Sequence, residues 1–259
     1  MSNMETPNTV VWDAETKHLM SRIWRTGEQY IRHDQLVEGF DQYDIICIAY
    51  AWNDEPVKVL GWGRYKQDSS KLIVEFDKII AKADIVIGKN SDRFDNKQLN
   101  TLRWLHGLPA PAENWIKKTD DLEKQIRKHF YLPSNSLDYI SKLRGLGGKR
   151  KMEMQDWIDV VEGKQKAAYE KMLDYCCKDV EDTRALWNDV KAHITPKFNH
   201  SAYQQGVVCI NCGSENIRRN GKRLVGTVWK QGYYCNDHGG FAGYRTISAR
   251  TDEEVGGMR

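Results

Sequence analysis

At 259 residues, 40% apolar and 29% charged, the chain is long enough to bury a sizeable core and too polar to live in a bilayer. Its longest apolar stretch, around Ile45 to Trp52, falls far short of the roughly 20 residues that a membrane-spanning helix needs. The N-terminus, Met-Ser-Asn-Met-Glu-Thr, lacks the basic-then-apolar pattern of a secretory signal, so a cytoplasmic location is expected. The net charge is +3, and residues 207–259, with eight Lys/Arg against five Asp/Glu, account for all of it. A basic appendage on a neutral body suits an anionic polymer partner, or is a plain solvated face.

In chain order, residues 8–16 read as a strand. Residues 44–52 and 56–63 read as two more, joined by a turn at Asn53-Asp54-Glu55-Pro56. Leu72, Phe76, Ile79 and Ile80 share one face of a helix over 70–82. Asp84 to Gly88 is a short apolar strand. A helix from about Arg93 to His106 is stopped by Gly107 and Pro109. Residues 115–119 read as a further short strand, and helices follow near 121–130, 136–144, 153–162 and 165–192. Strands first, then strands alternating with helices, predict an α/β domain over 1–193 with a mixed sheet covered by helices. Residues 194–206 read as a linker, 207–247 as a second, small domain, and the polar residues 248–259 as a disordered tail.

Three distant segments carry carboxylates. Asp13 and Glu15, two apart on a strand, point to the same side, with Trp12 and Ala14 on the other. Side by side, two carboxylates repel unless a cation lies between them. Asp95 opens a helix and shares a face with Leu99 and Leu102; an acid there caps the helix or meets a cation. Tyr175 and Asp179 are four apart on a long helix, and Asp182 and Leu186 continue their stripe. Taken singly, each pattern is common.

Together, in this order, they resemble the DEDD exonuclease superfamily with its ribonuclease-H-like fold. Tyrosine four residues before the last acid resembles the DEDDy branch; the DEDDh branch would have histidine at 174, where this chain has Asp174. The likeness covers roughly residues 8–192. It implies two Mg²⁺ or Mn²⁺ ions per active site and removal of nucleotides from the 3′ end. Asp13 would bridge the ions, with Glu15 and Asp179 on the side of the attacking water and Asp95 on the other. Tyr175 would orient the water. Asn90 and Phe94 flank Asp95 and are candidates to touch the substrate, Phe94 being equally a core candidate. Lys142, Arg144, Lys149, Arg150 and Lys151, around Gly145, Gly147 and Gly148, form either a phosphate-holding loop or a solvated one.

Six cysteines do not form a disulfide framework. Cys176 and Cys177 are adjacent on a helix, where a bridge is awkward, and Cys47 lies in an apolar strand. Cys209 and Cys212 are followed by Cys235 and His238 at the same spacing, two knuckles that would close a tetrahedral site; His200 is the substitute ligand. This resembles a zinc ribbon, with one structural Zn²⁺ supplying folding free energy that so small a core lacks. Arg218, Arg219, Lys222, Arg223 and Lys230 interleave with aromatics, which suits single-stranded nucleic acid; protein docking is the other use of such a surface. The expectation is thus a metal-dependent 3′–5′ exonuclease on single strands, DNA favoured, with replication or repair proteins as its protein partners. A structure-specific endonuclease and a non-catalytic adaptor are the alternatives.

Overall fold

The computed structural model describes residues 7–63, 67–111, 119–147, 151–163, 165–194, 197–202 and 206–247. It divides into two compact units, Asn8–Trp187 and a second made of Asn188–Arg259 with the first seven residues. No helix among the described residues is long and apolar enough to cross a membrane.

The first unit is a mixed five-stranded sheet with helices on both faces. Its strands are β1 (Thr9–Thr16), β2 (Ile45–Trp52), β3 (Lys58–Gly61), β4 (Ile85–Gly88) and β5 (Thr119–Asp121), in spatial order β3-β2-β1-β4-β5. β1, β2 and β3 pair antiparallel, while β4 joins β1, and β5 joins β4, in parallel. A meander followed by crossovers through helices is the ribonuclease-H-like arrangement that the order of elements implies. Of the strand expected at 115–119, residue 119 alone lies among the described residues, and the strand found there runs on to Asp121.

The helices are α1 (Ser69–Ile80), α2 (Asp95–Leu105), α3 (Leu122–His129), α4 (Leu137–Arg144), α5 (Met154–Val161) and α6 (Lys166–Val190). The alternation of β1 assigns them to the two faces. Trp12 points to one side and packs on Phe76 of α1, with ring centroids 4.8 Å apart. Asp13 and Glu15 point to the other, the side crossed by α6. Small residues make room there: Asp13 pairs with Ala49, and Glu15 with Cys47, which in turn pairs with Gly61. A Cβ on Gly61 would come within 2.1 Å of the Tyr169 hydroxyl and 3.3 Å of the Leu173 side chain, so glycine here leaves room for the side chains of α6. Buried Ala168, Met172, Cys176 and Val180 line the inner face of α6 at helical spacing.

In the second unit β6 (Ile217–Val225), β7 (Val228–Cys235) and β8 (Gly240–Thr246) form an antiparallel sheet in sequence order. The third strand adds the edge that packs Ala242 into a small core with Cys209 and Cys235.

Candidate active site and metal centre

β1 delivers Asp13 and Glu15, both half-buried, onto the floor that α6 crosses. The Cys176 thiol donates to the Asp13 carbonyl at 3.6 Å, tying α6 to the strand between the two acids' side of the sheet and Tyr175. One ligand atom from each of Asp13, Glu15 and Cys176 lies within 4.8 Å of the others. Cys176 is nevertheless a poor candidate ligand. Burial, then the neighbouring Cys47 thiol and the two carboxylates, push its thiol well above the ordinary range. It therefore stays a protonated donor, and hard divalent cations prefer oxygen.

Tyr175 and Asp179 bracket Cys176 on α6 and are both buried. The Tyr175 ring meets Trp157 of α5 edge-on, centroids 6.4 Å apart at 73°. It also borders a cavity of about 450 Å³ that is lined by Asp138, Lys142, Lys151, Met152, Glu153 and Trp157. Lys142 is held by Asp138 of its own helix at 2.7 Å. Asp182, one turn beyond Asp179, is buried against Lys178 at 2.7 Å.

Asp95 takes the first position of α2, not the cap; the cap is Phe94, which makes no side-chain bond to the helix. Its carboxyl is buried on the face of Leu99 and Leu102. Burial pushes its pKa up to about 7; nearby Asp121 adds to the rise, and its own backbone amide opposes it. β1 and β4 are parallel, with Val11 opposite Ile87, so Asp13 and the turn that leads to Asp95 leave the sheet at the same end.

Asp121 holds that turn. It caps α3 by accepting from the Glu123 amide at 2.9 Å, and it also accepts from the amides of Asn90 at 3.0 Å and Asp92 at 3.1 Å. A Lys89–Glu123 ion pair at 2.7 Å, with both side chains largely buried, closes the turn from the other side. Asn90 adopts φ 61°, a left-handed conformation that asparagine tolerates. Phe94 is 37% exposed and stands edge-on to Tyr43 at 6.2 Å, so it is a surface ring and not a core one.

Sequence reasoning missed Asp121, Trp157 and Cys176. Asp121 had a signal, since Asp-Leu-Glu-Lys opening a helix is a cap pattern; the other two had none. Lys149 and Arg150 lie outside the described residues, as do Gly148 and all of 248–259.

The donor chemistry of this site fits hard divalent cations. The candidate ligands are all carboxylates, and the buried acid with the raised pKa is one that a cation would return to its ionised form.

In the second unit Cys209, Cys212, Cys235 and His238 converge, with their ligand atoms within 4.8 Å of one another; His200 is not among them. Cys212 and Cys235 sulfurs are 3.7 Å apart, close to the tetrahedral edge of about 3.8 Å expected from metal–sulfur bonds of about 2.3 Å. Cys209 Sγ and His238 Nε2 are 3.0 Å apart. The Asn211 amide points at the Cys209 sulfur at 3.4 Å, the backbone knuckle of a thiolate ligand. Burial and crowding by neighbouring thiols push Cys212 up to about 12, and burial raises Cys209. Gly240 lets the His238 ring in: a Cβ there would meet Nδ1 at 3.0 Å. Such a set of soft donors fits a four-coordinate structural metal.

No protein-family model matches this sequence, and no curated protein sequence does. Among solved structures the chain is similar to the family B DNA polymerase from the hyperthermophilic archaeon Pyrobaculum calidifontis, with a TM-score of 0.55 and 13% identity. The match covers 88% of this chain and 32% of that one, so the chain spans about a third of that polymerase's length. At this identity the likeness establishes a shared fold, with a protein that processes nucleic acid.

Proposed function

We propose that the Asn8–Trp187 unit is a metal-dependent 3′–5′ exonuclease acting on single-stranded nucleic acid, DNA in preference. The C-terminal unit would be a zinc ribbon that holds the strand. The observation that carries this reading is the meeting of β1, bearing Asp13 and Glu15, with the helix bearing Tyr175 and Asp179. Asp95 opens α2 from the same end of the sheet.

Asp13, Glu15, Asp95 and Asp179 would hold two Mg²⁺ or Mn²⁺ ions. When bound, such ions supply the Lewis acidity that activates water and stabilises the leaving oxygen. The carboxylates' own part is to neutralise and fix that charge in a partly dry site, where position counts for more than in water. Tyr175, anchored by Trp157, aims its hydroxyl as an orienting group for the attacking water; a tyrosine hydroxyl in water, with a reference pKa of about 10, is a poor base. Water oxygen bonds to phosphorus as the bond to the 3′ oxygen breaks. That oxygen takes up a proton and remains on the shortened strand, and a nucleoside 5′-monophosphate leaves.

Digestion of a 5′-labelled oligonucleotide with added Mg²⁺ or Mn²⁺ tests the reading. A ladder that shortens from the 3′ end, lost in Asp13→Ala, is expected. Internal cuts would favour the endonuclease, and binding without products the adaptor.

A further inference from the structure

The basic residues of the ribbon do not act as one patch, because the strand register sorts them onto two faces with different chemistry. Residues opposite one another in a sheet share a face. Arg218 lies opposite Tyr234, which lies opposite Phe241; Arg223 lies opposite Lys230; and Tyr244 lies opposite Gly232. Alternation along β7 puts Tyr234, Gly232 and Lys230 on the same side. One face therefore gathers Arg218, Arg223, Lys230, Tyr234, Phe241 and Tyr244. Arg219 and Lys222, opposite Tyr233 and Gln231, belong to the other face, where Tyr233 packs on the core of Cys209, Cys235 and Ala242.

The first face is organised. The Arg218 guanidinium lies 4.5 Å from the Tyr234 ring centroid, and that of Arg223 lies 5.5 Å from Tyr244. The Phe241 and Tyr244 rings are 4.6 Å apart, and each is 41% exposed. Gly232, buried opposite Tyr244, contributes no side chain; a Cβ there would meet the Asn220 carbonyl at 3.0 Å and the Tyr244 ring at 3.6 Å. The exposed Phe241 and Tyr244 rings, with guanidinium groups over Tyr234 and Tyr244 and no carboxylate on that face of the three strands, suit a ligand with both aromatic faces and phosphates.

We infer that this face is a stacking platform for single-stranded nucleic acid: bases lie on the exposed Phe241 and Tyr244 rings, and phosphates meet Arg223, Lys230 and the Arg218 guanidinium that rests on Tyr234. It deepens, and rests on, the reading of the ribbon as a substrate handle. Arg219 and Lys222 are excluded from the contact. A protein partner fits less well, because Arg218, Arg223 and Lys230 border the Phe241–Tyr244 pair and no carboxylate on this face balances them.

The test is fluorescence anisotropy of the full chain, zinc retained, with labelled dT20 and rU20 across a salt series. The pair Phe241→Ala/Tyr244→Ala is expected to weaken binding about tenfold or more, with the salt slope unchanged. Arg218→Gln/Arg223→Gln should weaken binding and flatten the slope by about one to two. Arg219→Gln/Lys222→Gln is the opposite-face control and should cost less than threefold. Zinc content near one per chain checks that each variant folds. Phe241→Leu/Tyr244→Leu keeps apolar bulk without π-faces and should show the same loss. The platform is overturned if the ring variants bind as the parent does, if the control costs as much as the Arg218/Arg223 pair, or if the parent binds neither polymer. Both polymers should respond to the ring variants, and the tighter one names the substrate. Hydrolysis of p-nitrophenyl thymidine monophosphate is measured alongside and should be unaltered by every ribbon variant. Its absence in the parent would defeat the nuclease reading without touching the binding result.

Discussion

At Asp95 the proposed function and stability conflict most plainly. Its folded pKa, about 7, lies well above the roughly 3.9 of an unfolded aspartate. A raised carboxyl pKa means that stability is greatest below the unfolded value and is lost as pH rises through the folded one. The metal-free protein should accordingly lose stability between about pH 4 and pH 7 from this group. Asp95→Asn should stabilise it at pH 8 by on the order of 2 kcal/mol and change little at pH 4, as read from urea midpoints without added divalent ions. The same variant should lose nuclease activity. A metal-free Asp95→Asn protein no more stable than the parent at pH 8 would mean that the buried charge is already compensated. Tyr175→Phe should slow turnover about 10- to 100-fold while leaving the Mn²⁺ concentration for half-maximal rate unchanged. A shift in that concentration would make the hydroxyl part of the metal site's structure.

At the scale of elements, the turn between β4 and α2 is what places Asp95, and Asp121 of β5 holds the turn through three short amide contacts. Asp121→Ala leaves those amides unpaired and uncaps α3. It should destabilise the protein by about 2–4 kcal/mol and lower kcat more than it raises KM. A stability loss with kcat intact would show that Asp95 keeps its position without the turn. Helix α6 has the matching role for Tyr175 and Asp179. Gly61, Ala49 and Cys47 leave room for its side chains, so Gly61→Val should force Tyr169 and Leu173 of α6 to move and lower activity with no acid changed. The strand alternation of Asp13 and Glu15 and the helical stripe of Tyr175 and Asp179 were legible because each is a local period. Trp157 beside Tyr175, and Cys176 on the Asp13 carbonyl, were not, because nothing local ties residues 18 and 163 positions apart.

At the scale of the whole molecule, the chain pairs a core whose acids would do chemistry with a small unit whose stability would come from a metal. Deleting 207–259 should leave hydrolysis of p-nitrophenyl thymidine monophosphate intact. It should raise KM for oligonucleotides and flatten the salt dependence of that KM. Unaltered KM and salt slope would give the ribbon another role. Stripping zinc with a thiol-reactive chelator should unfold the ribbon, visible as loss of Tyr and Trp fluorescence anisotropy, and Zn²⁺ but not Mg²⁺ should restore it.

The sequence by itself determined the α/β class, the order of strands and helices, and the face that each acid takes on its own element. Those follow from periods of 2 and 3.6 and from stop signals a few residues long. The spacing of Cys209, Cys212, Cys235 and His238 likewise announced a four-donor cluster, because knuckle geometry is local. Only the tertiary structure decided which strands neighbour which, and so that Asp13 and the turn to Asp95 share an end of the sheet. It also decided that Asp95 is no cap, and that the ribbon's cations divide between two faces. Register across strands and burial by distant elements are set by the packing of the whole chain, and no window of neighbouring residues encodes them.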